Sequence, residues 1–116
     1  MSSNLKLAST IISGALITLA LPASAHHSMS EFDRGVVEEV TGVVSRVSWK
    51  NPHILLEVTN TDANGAEAIY YFEGSAVSSQ RRRGLTGDEI SVGDSVRVAG
   101  WPSPRRENYI QVNHVL

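Results

Sequence analysis

The chain has 116 residues, ten Lys and Arg against twelve Asp and Glu, a formal net charge of −2, and no cysteine. That is enough for one small domain, and the missing thiols exclude disulfides, thiolate metal centres and cysteine catalysis. The mildly acidic balance has the wrong sign for broad contact with a phosphate backbone, so no nucleic-acid partner is expected.

The first predicted element is a leader. Lys6 and the initiator amine give a positive start, and Leu7 to Leu21 form an apolar run. Pro22-Ala23-Ser24-Ala25 then supplies a helix break and the small residues that signal peptidase accepts. The run of 15 residues is interrupted by Ser9, Thr10 and Ser13, and it falls short of the ~20 residues that cross a bilayer as a helix. A cleaved signal peptide over residues 1–25 is therefore predicted, with export and no membrane span after processing; an uncleaved anchor is the alternative. No cysteine stands near the cleavage point, which excludes a lipid anchor. Cleavage after Ala25 leaves 91 residues and places His26 and His27 at the new terminus, beside a free α-amine.

Residues 26–35 are polar apart from Met29 and Phe32 and read as an arm leading into a domain over residues 36–116. From Val36 to Trp49 β-branched residues predict a long first strand, with Gly42 as its bulge or bend. Lys50-Asn51-Pro52 interrupts it, because proline removes an amide donor, and a second strand runs from His53 to Thr59. Thr61 to Gly65 is a hairpin turn in which Asn64-Gly65 supplies positive φ. Glu67 to Glu73 is the third strand.

Ser75 to Arg83 lacks strand alternation and stops at Gly84, which predicts a short helix with a glycine cap. A turn over Ile90 to Asp94 leads to a fourth strand, Ser95 to Trp101, broken by Pro102-Ser103-Pro104; the fifth is Tyr109 to Leu116. The expected core is Val43, Val47, Leu55, Ile69, Tyr71, Val96, Val98 and Val112, with Trp49 and Phe72 filling it. The fold class that follows is mainly β, a small five-stranded OB-like barrel with one short helix between strands 3 and 4. A meander-plus-hairpin roll fits nearly as well, and neither fold by itself confers a function.

Several stretches together resemble a family of small exported bacterial proteins, the domain-of-unknown-function family numbered 6152. They are His26-His27-Ser28 with Phe32-Asp33, Gly42-Val43-Val44, Trp49-Lys50-Asn51-Pro52-His53, Phe72-Glu73, Gly84-Leu85-Thr86 and Val92-Gly93-Asp94-Ser95-Val96. The resemblance covers essentially all of the chain after the leader and implies a periplasmic OB-like barrel without an established activity. Met29 and Leu85 depart from it, since the family usually has an aromatic residue after His-His-Ser and a tryptophan near the position after Gly84.

Four histidines are present: His26, His27, His53 and His114. An N-terminal histidine chelates through its α-amine and Nδ1, a geometry suited to copper(II), with zinc second, and Met29 offers a thioether to copper(I). His53, just after Pro52, is placed where a folded-back arm completes a site with His26 and His27, and Glu73 is a further ligand candidate. The competing reading is a plain arm, a turn residue at His53, a half-buried His114 on the last strand and a solvent-facing Glu73.

Arg81, Arg82 and Arg83 suit a helix C-terminus by complementing its dipole, or else form a docking patch for an acidic partner or an anionic headgroup. Tyr70 and Trp101 are expected to line a groove or partner surface. No nucleophile is paired with a base, and Ser28 has nothing to orient it, so the chain is not expected to be an enzyme. The function that follows is a periplasmic binding module for a small ligand or a protein partner. The alternative is a metal-binding protein, copper or zinc, using the processed His-His terminus.

Overall fold

The computed structural model describes residues 31–116, and the leader with its cleavage point, His26 and His27 lie outside them. Five strands and one short helix follow in the order β1 (Glu38–Ser48), β2 (Leu55–Thr61), β3 (Glu67–Glu73), α1 (Val77–Arg82), β4 (Ser95–Pro102) and β5 (Tyr109–Val115). The sheet closes on itself in the order β1-β2-β3-β5-β4, so every strand has a partner on both sides. No helix among the described residues is long and apolar enough to cross a membrane.

β1 serves two neighbours. Its first half pairs with β4 from Glu38 to Val43, and its second half with β2 from Val43 to Ser48. That exchange requires the chain to bend. Gly42 allows it: a Cβ there would fall 2.3 Å from the Thr59 carbonyl oxygen and 2.7 Å from a Val58 methyl. The register shift itself lies between Val44 and Arg46, where Gly93 donates to the Val44 carbonyl and the Val44 amide donates to Asp94.

The β2–β3 hairpin turns where the sequence predicts, but of Asn64-Gly65 only the glycine takes positive φ. Asp62 accepts from the amides of Asn64 and Ala66 at 2.8 and 2.9 Å, and Gly65 takes φ +83°, the region in which only glycine is unstrained. β3 then runs parallel to β5 over Tyr71 to Glu73, closing the barrel. α1 borrows its N-terminal partner from afar: Asn51, next to a cis bond to Pro52, accepts from the Val77 amide at 3.1 Å. Gly84 follows the helix at φ +86°.

The core consists of Val40, Val44, Leu56, Val58, Phe72, Val96, Val98 and Ile110, with Val47, Tyr70, Ile90 and Val112 packed against it. This corrects the expected inward faces. Val43 and Ile69 point outward at 46% and 44% exposure, and Leu55, Tyr71 and Val112 are half-buried. In β1 Val40 and Val44 share the inward parity and leave Val43 outside, and the register shift after Val44 then brings Val47, of the other parity, to the core side. In β2 and β3 the runs Ile54-Leu55-Leu56 and Ile69-Tyr70-Tyr71-Phe72 are apolar on both parities, and pairing places Leu56 opposite Phe72 in the interior.

Candidate functional site

α1 has six residues and buries none of them, so it leaves that end of the barrel unplugged. A cavity of about 900 Å³ results. Leu56, Phe72, Val96 and Val112 form its barrel side, and Trp49, Leu85 and Ile90 enclose it from the connecting segments. The α1–β4 loop is seated on Trp49 through Gly87, where a Cβ would lie 2.8 Å from the indole ring.

Glu89 holds that loop together by accepting from the amides of Thr86 and Gly87 at 2.9 and 2.8 Å. Those backbone donors, Thr86 first, lower its pKa from the ordinary 4.5 to about 2. Arg34, Arg83, Glu89 and Asp94 give the cavity a rim of mixed charge, and Arg34 lies over the Trp101 ring at 5.0 Å. Inside, the lining is mostly apolar. Trp49 Nε1 and Gln111 Oε1 are buried without a hydrogen-bond partner.

A second, polar cluster lies where β3 meets β5. Tyr109 donates its hydroxyl to Glu73 Oε2 at 2.6 Å, and Glu73 Oε1 lies 3.2 Å from His53 Nδ1. Arg106 sits over the Tyr109 ring at 3.3 Å, 3.7 Å from Glu73, and donates to Glu31. Ser103 also donates to Glu31, at 3.3 Å, and the Phe32 ring stacks on Tyr109 at 6.1 Å. The first described residues are thus moored to the patch that holds His53.

Desolvation raises the Tyr109 phenol above its ordinary value and the Glu73 carboxylate adds to this, while Arg106 acts the other way. Tyr109 therefore remains a donor at neutral pH. For Arg106 desolvation opposes the charge, but hydrogen bonds to Glu31 and Tyr109 outweigh it and the pKa rises.

The residues singled out from sequence fall in different places. His53 and Glu73 come together, and Glu73 is half-buried rather than facing solvent. His114 is exposed. Trp101 lines the cavity but Tyr70 does not; it packs on the core and stacks on Phe72 at 6.4 Å. Trp49 encloses the cavity instead of filling the core. Arg81 and Arg82 occupy the last turn of α1, as a dipole-complementing pair would, and Arg83 reaches the cavity rim. Sequence reasoning missed Glu31, Arg106 and Tyr109, which lie 75 and 78 positions from end to end of the cluster; the one signal was Glu73, a carboxylate closing a strand of aromatic residues.

A closed five-stranded barrel with its helix between β3 and β4 is an OB-fold barrel. The chain belongs to the family of unknown function DUF6152, whose model matches residues 15–109. Among solved structures, the mitochondrial single-stranded DNA binding protein Rim1 of S. cerevisiae is similar with a TM-score of 0.54 at 9% identity, covering 70% of this chain and 92% of its own. The small single-stranded DNA-binding protein of Streptomyces coelicolor gives a TM-score of 0.44 at 16% identity, covering 70% and 89%. No curated protein matches the chain.

The Rim1 likeness shows the fold, and with it the exclusion of nucleic acid drawn from net charge is overturned. Charge summed over a whole chain does not report what one face of a barrel presents.

Proposed function

We propose that the protein is a non-enzymatic binding module, exported to the periplasm, that takes a small and largely apolar molecule in the cavity between the barrel and α1. The observation that carries this reading is the unplugged barrel end: Phe72 and Leu56, buried core residues, also line the cavity. Its volume lies at the upper end of the ~300–1,000 Å³ that small-ligand sites span, and a mostly apolar lining with a few polar groups is the usual composition. Export rests on the leader pattern of residues 1–25.

The test uses N-phenyl-1-naphthylamine, a neutral apolar probe that fluoresces when buried. The parent protein is expected to bind it at one site, and Val112→Phe, which adds volume at a half-buried lining position, to weaken it by about tenfold without lowering the melting temperature, since a loss of about 1.4 kcal/mol in binding is tenfold. Equal uptake by both proteins would remove the cavity as the site. A labelled single strand of about 20 nucleotides, longer than one OB barrel covers, is titrated alongside; saturable binding there with no uptake of the probe would replace this reading by a nucleic-acid one.

A further inference from the structure

We infer that the molecule taken by the cavity is an anionic amphiphile, an apolar chain ending in a carboxylate, with the chain among Leu56, Phe72 and Val112 and the head paired with Arg83 at the mouth. The inference rests on the cavity as the binding site and adds the chemistry of its occupant. An apolar lining selects no head group. The charges at its edge do.

Two arginines and two acids stand on that edge, Arg34, Arg83, Glu89 and Asp94. The acids are turned to their own loop. Glu89 accepts from the Thr86 amide through Oε1 at 2.9 Å and from the Gly87 amide through Oε2 at 2.8 Å, and Asp94 Oδ2 accepts from the Ser91 amide at 2.8 Å. Backbone N–H dipoles stabilise both carboxylates where they are, and neither forms an ion pair with Arg83.

Arg83 is placed by the end of α1. Its amide donates to the Gln80 carbonyl at 2.9 Å and the Leu85 amide returns to the same oxygen at 3.1 Å, so the chain doubles back with Arg83 on the cavity edge and Leu85 closing over it. Arg81 and Arg82 already complement the last turn of the helix. The side chain of Arg83 enters no ion pair or hydrogen bond among the described residues, and the residue is exposed. An arginine covers apolar surface with its methylene stem while its guanidinium stays in water, and that planar fork matches the two oxygens of a carboxylate. Arg34, over the Trp101 ring at 5.0 Å, adds a second positive charge to the same rim. An alkyl carboxylate meets both features at once, whereas a cationic head would face two guanidiniums.

The experiment compares decanoate, 1-decanol and decylammonium, which share one chain and differ in the head. Each is measured by displacement of N-phenyl-1-naphthylamine and by direct calorimetry, below the concentration at which it forms micelles. Decanoate is expected to bind at least about fivefold more tightly than decylammonium, the upper range for one exposed ion pair, and the gap should narrow at high salt, which screens such pairs. Acetate, the head without the chain, should not bind. Arg83→Gln should lower the ratio of decanoate to 1-decanol affinity by about fivefold, and Arg83→Glu should favour decylammonium over decanoate. Arg81→Gln, in the same turn but outside the lining, should leave the ratio as in the parent. Decylammonium binding as tightly as decanoate, or a fall in the ratio as large in Arg81→Gln as in Arg83→Gln, overturns this inference and leaves the cavity as a site for neutral molecules. If neither the naphthylamine probe nor any of the three chains binds, the cavity reading fails and this one with it.

Discussion

Gly100 lies against Gln111 so closely that a Cβ on the glycine would fall 2.0 Å from the Gln111 carbonyl oxygen and 2.7 Å from an Ile110 methyl. The register of the β4–β5 ladder shifts at this point, between Ala99 and Gly100. Even the smallest side chain must push the strands apart. Gly100→Ala is expected to cost about 1–3 kcal/mol, the range for overpacking a filled interior, and to lower the melting temperature by roughly 4–8 °C for each kcal/mol in a domain of this size.

The corrected inward face of β3 gives a paired test. Phe72 is fully buried and Ile69 is 44% exposed. Phe72→Ala should therefore cost about 3–5 kcal/mol, while Ile69→Ala should stay within about 0.5 kcal/mol as a surface change. Urea denaturation of the two variants measures both, and equal losses would mean that the strand faces are wrongly assigned.

The loop on Trp49 is acid-sensitive through Glu89. With its pKa lowered to about 2 by the Thr86 and Gly87 amides, the unfolded chain takes up this proton at higher pH than the folded one. The contribution of Glu89 is therefore present above its ordinary value of 4.5 and lost as pH falls through about 2. Glu89→Gln should flatten the dependence of the urea midpoint on pH in that window, and a slope identical to the parent's would show that the loop contacts do not form in solution.

Tyr109 acts at the opposite end of the scale. Its phenol is raised above 10.0 by burial and by Glu73, so the stability tied to its protonated form is complete below the ordinary phenol value and disappears as pH climbs through the raised one. Tyr109→Phe removes a hydrogen bond to a charged carboxylate, worth about 1.5–3 kcal/mol. The variant should be less stable at pH 7 and lose less than the parent between neutral and alkaline pH, as measured by thermal melts across that range.

Element order was readable from the chain because its punctuation is chemical. Asn64-Gly65, Gly84 and Pro102-Ser103-Pro104 each mark an end that the backbone respects, and β3 runs from Glu67 to Glu73 as predicted. The faces were not readable. Leu55 and Leu56 are equivalent to any hydrophobicity pattern, and only the pairing of Leu56 with Phe72 in a closed sheet separates them. Gly42 marks the bend at which β1 passes from β4 to β2, but the register shift lies after Val44, where the 91–94 turn takes up the Val44 backbone groups and no residue type announces it. His53 and Glu73 stand 20 positions apart in the sequence, and that they come within 3.2 Å depends on β2 and β3 lying side by side, while the contacts of Arg106 and Tyr109 with Glu73 need β5 to return beside β3.

That return has a consequence for how the molecule comes into being. β3 and β4 both wait for β5, so a chain still lacking residues 109–115 has two open sheet edges with bare amides and carbonyls. Such edges recruit other chains, and the β3–β5 partners lie 38 positions apart along the sequence, which makes their meeting slower than that of β4 with β5. A chain cut short before Tyr109 is therefore expected to be an aggregating species rather than a smaller version of the same barrel.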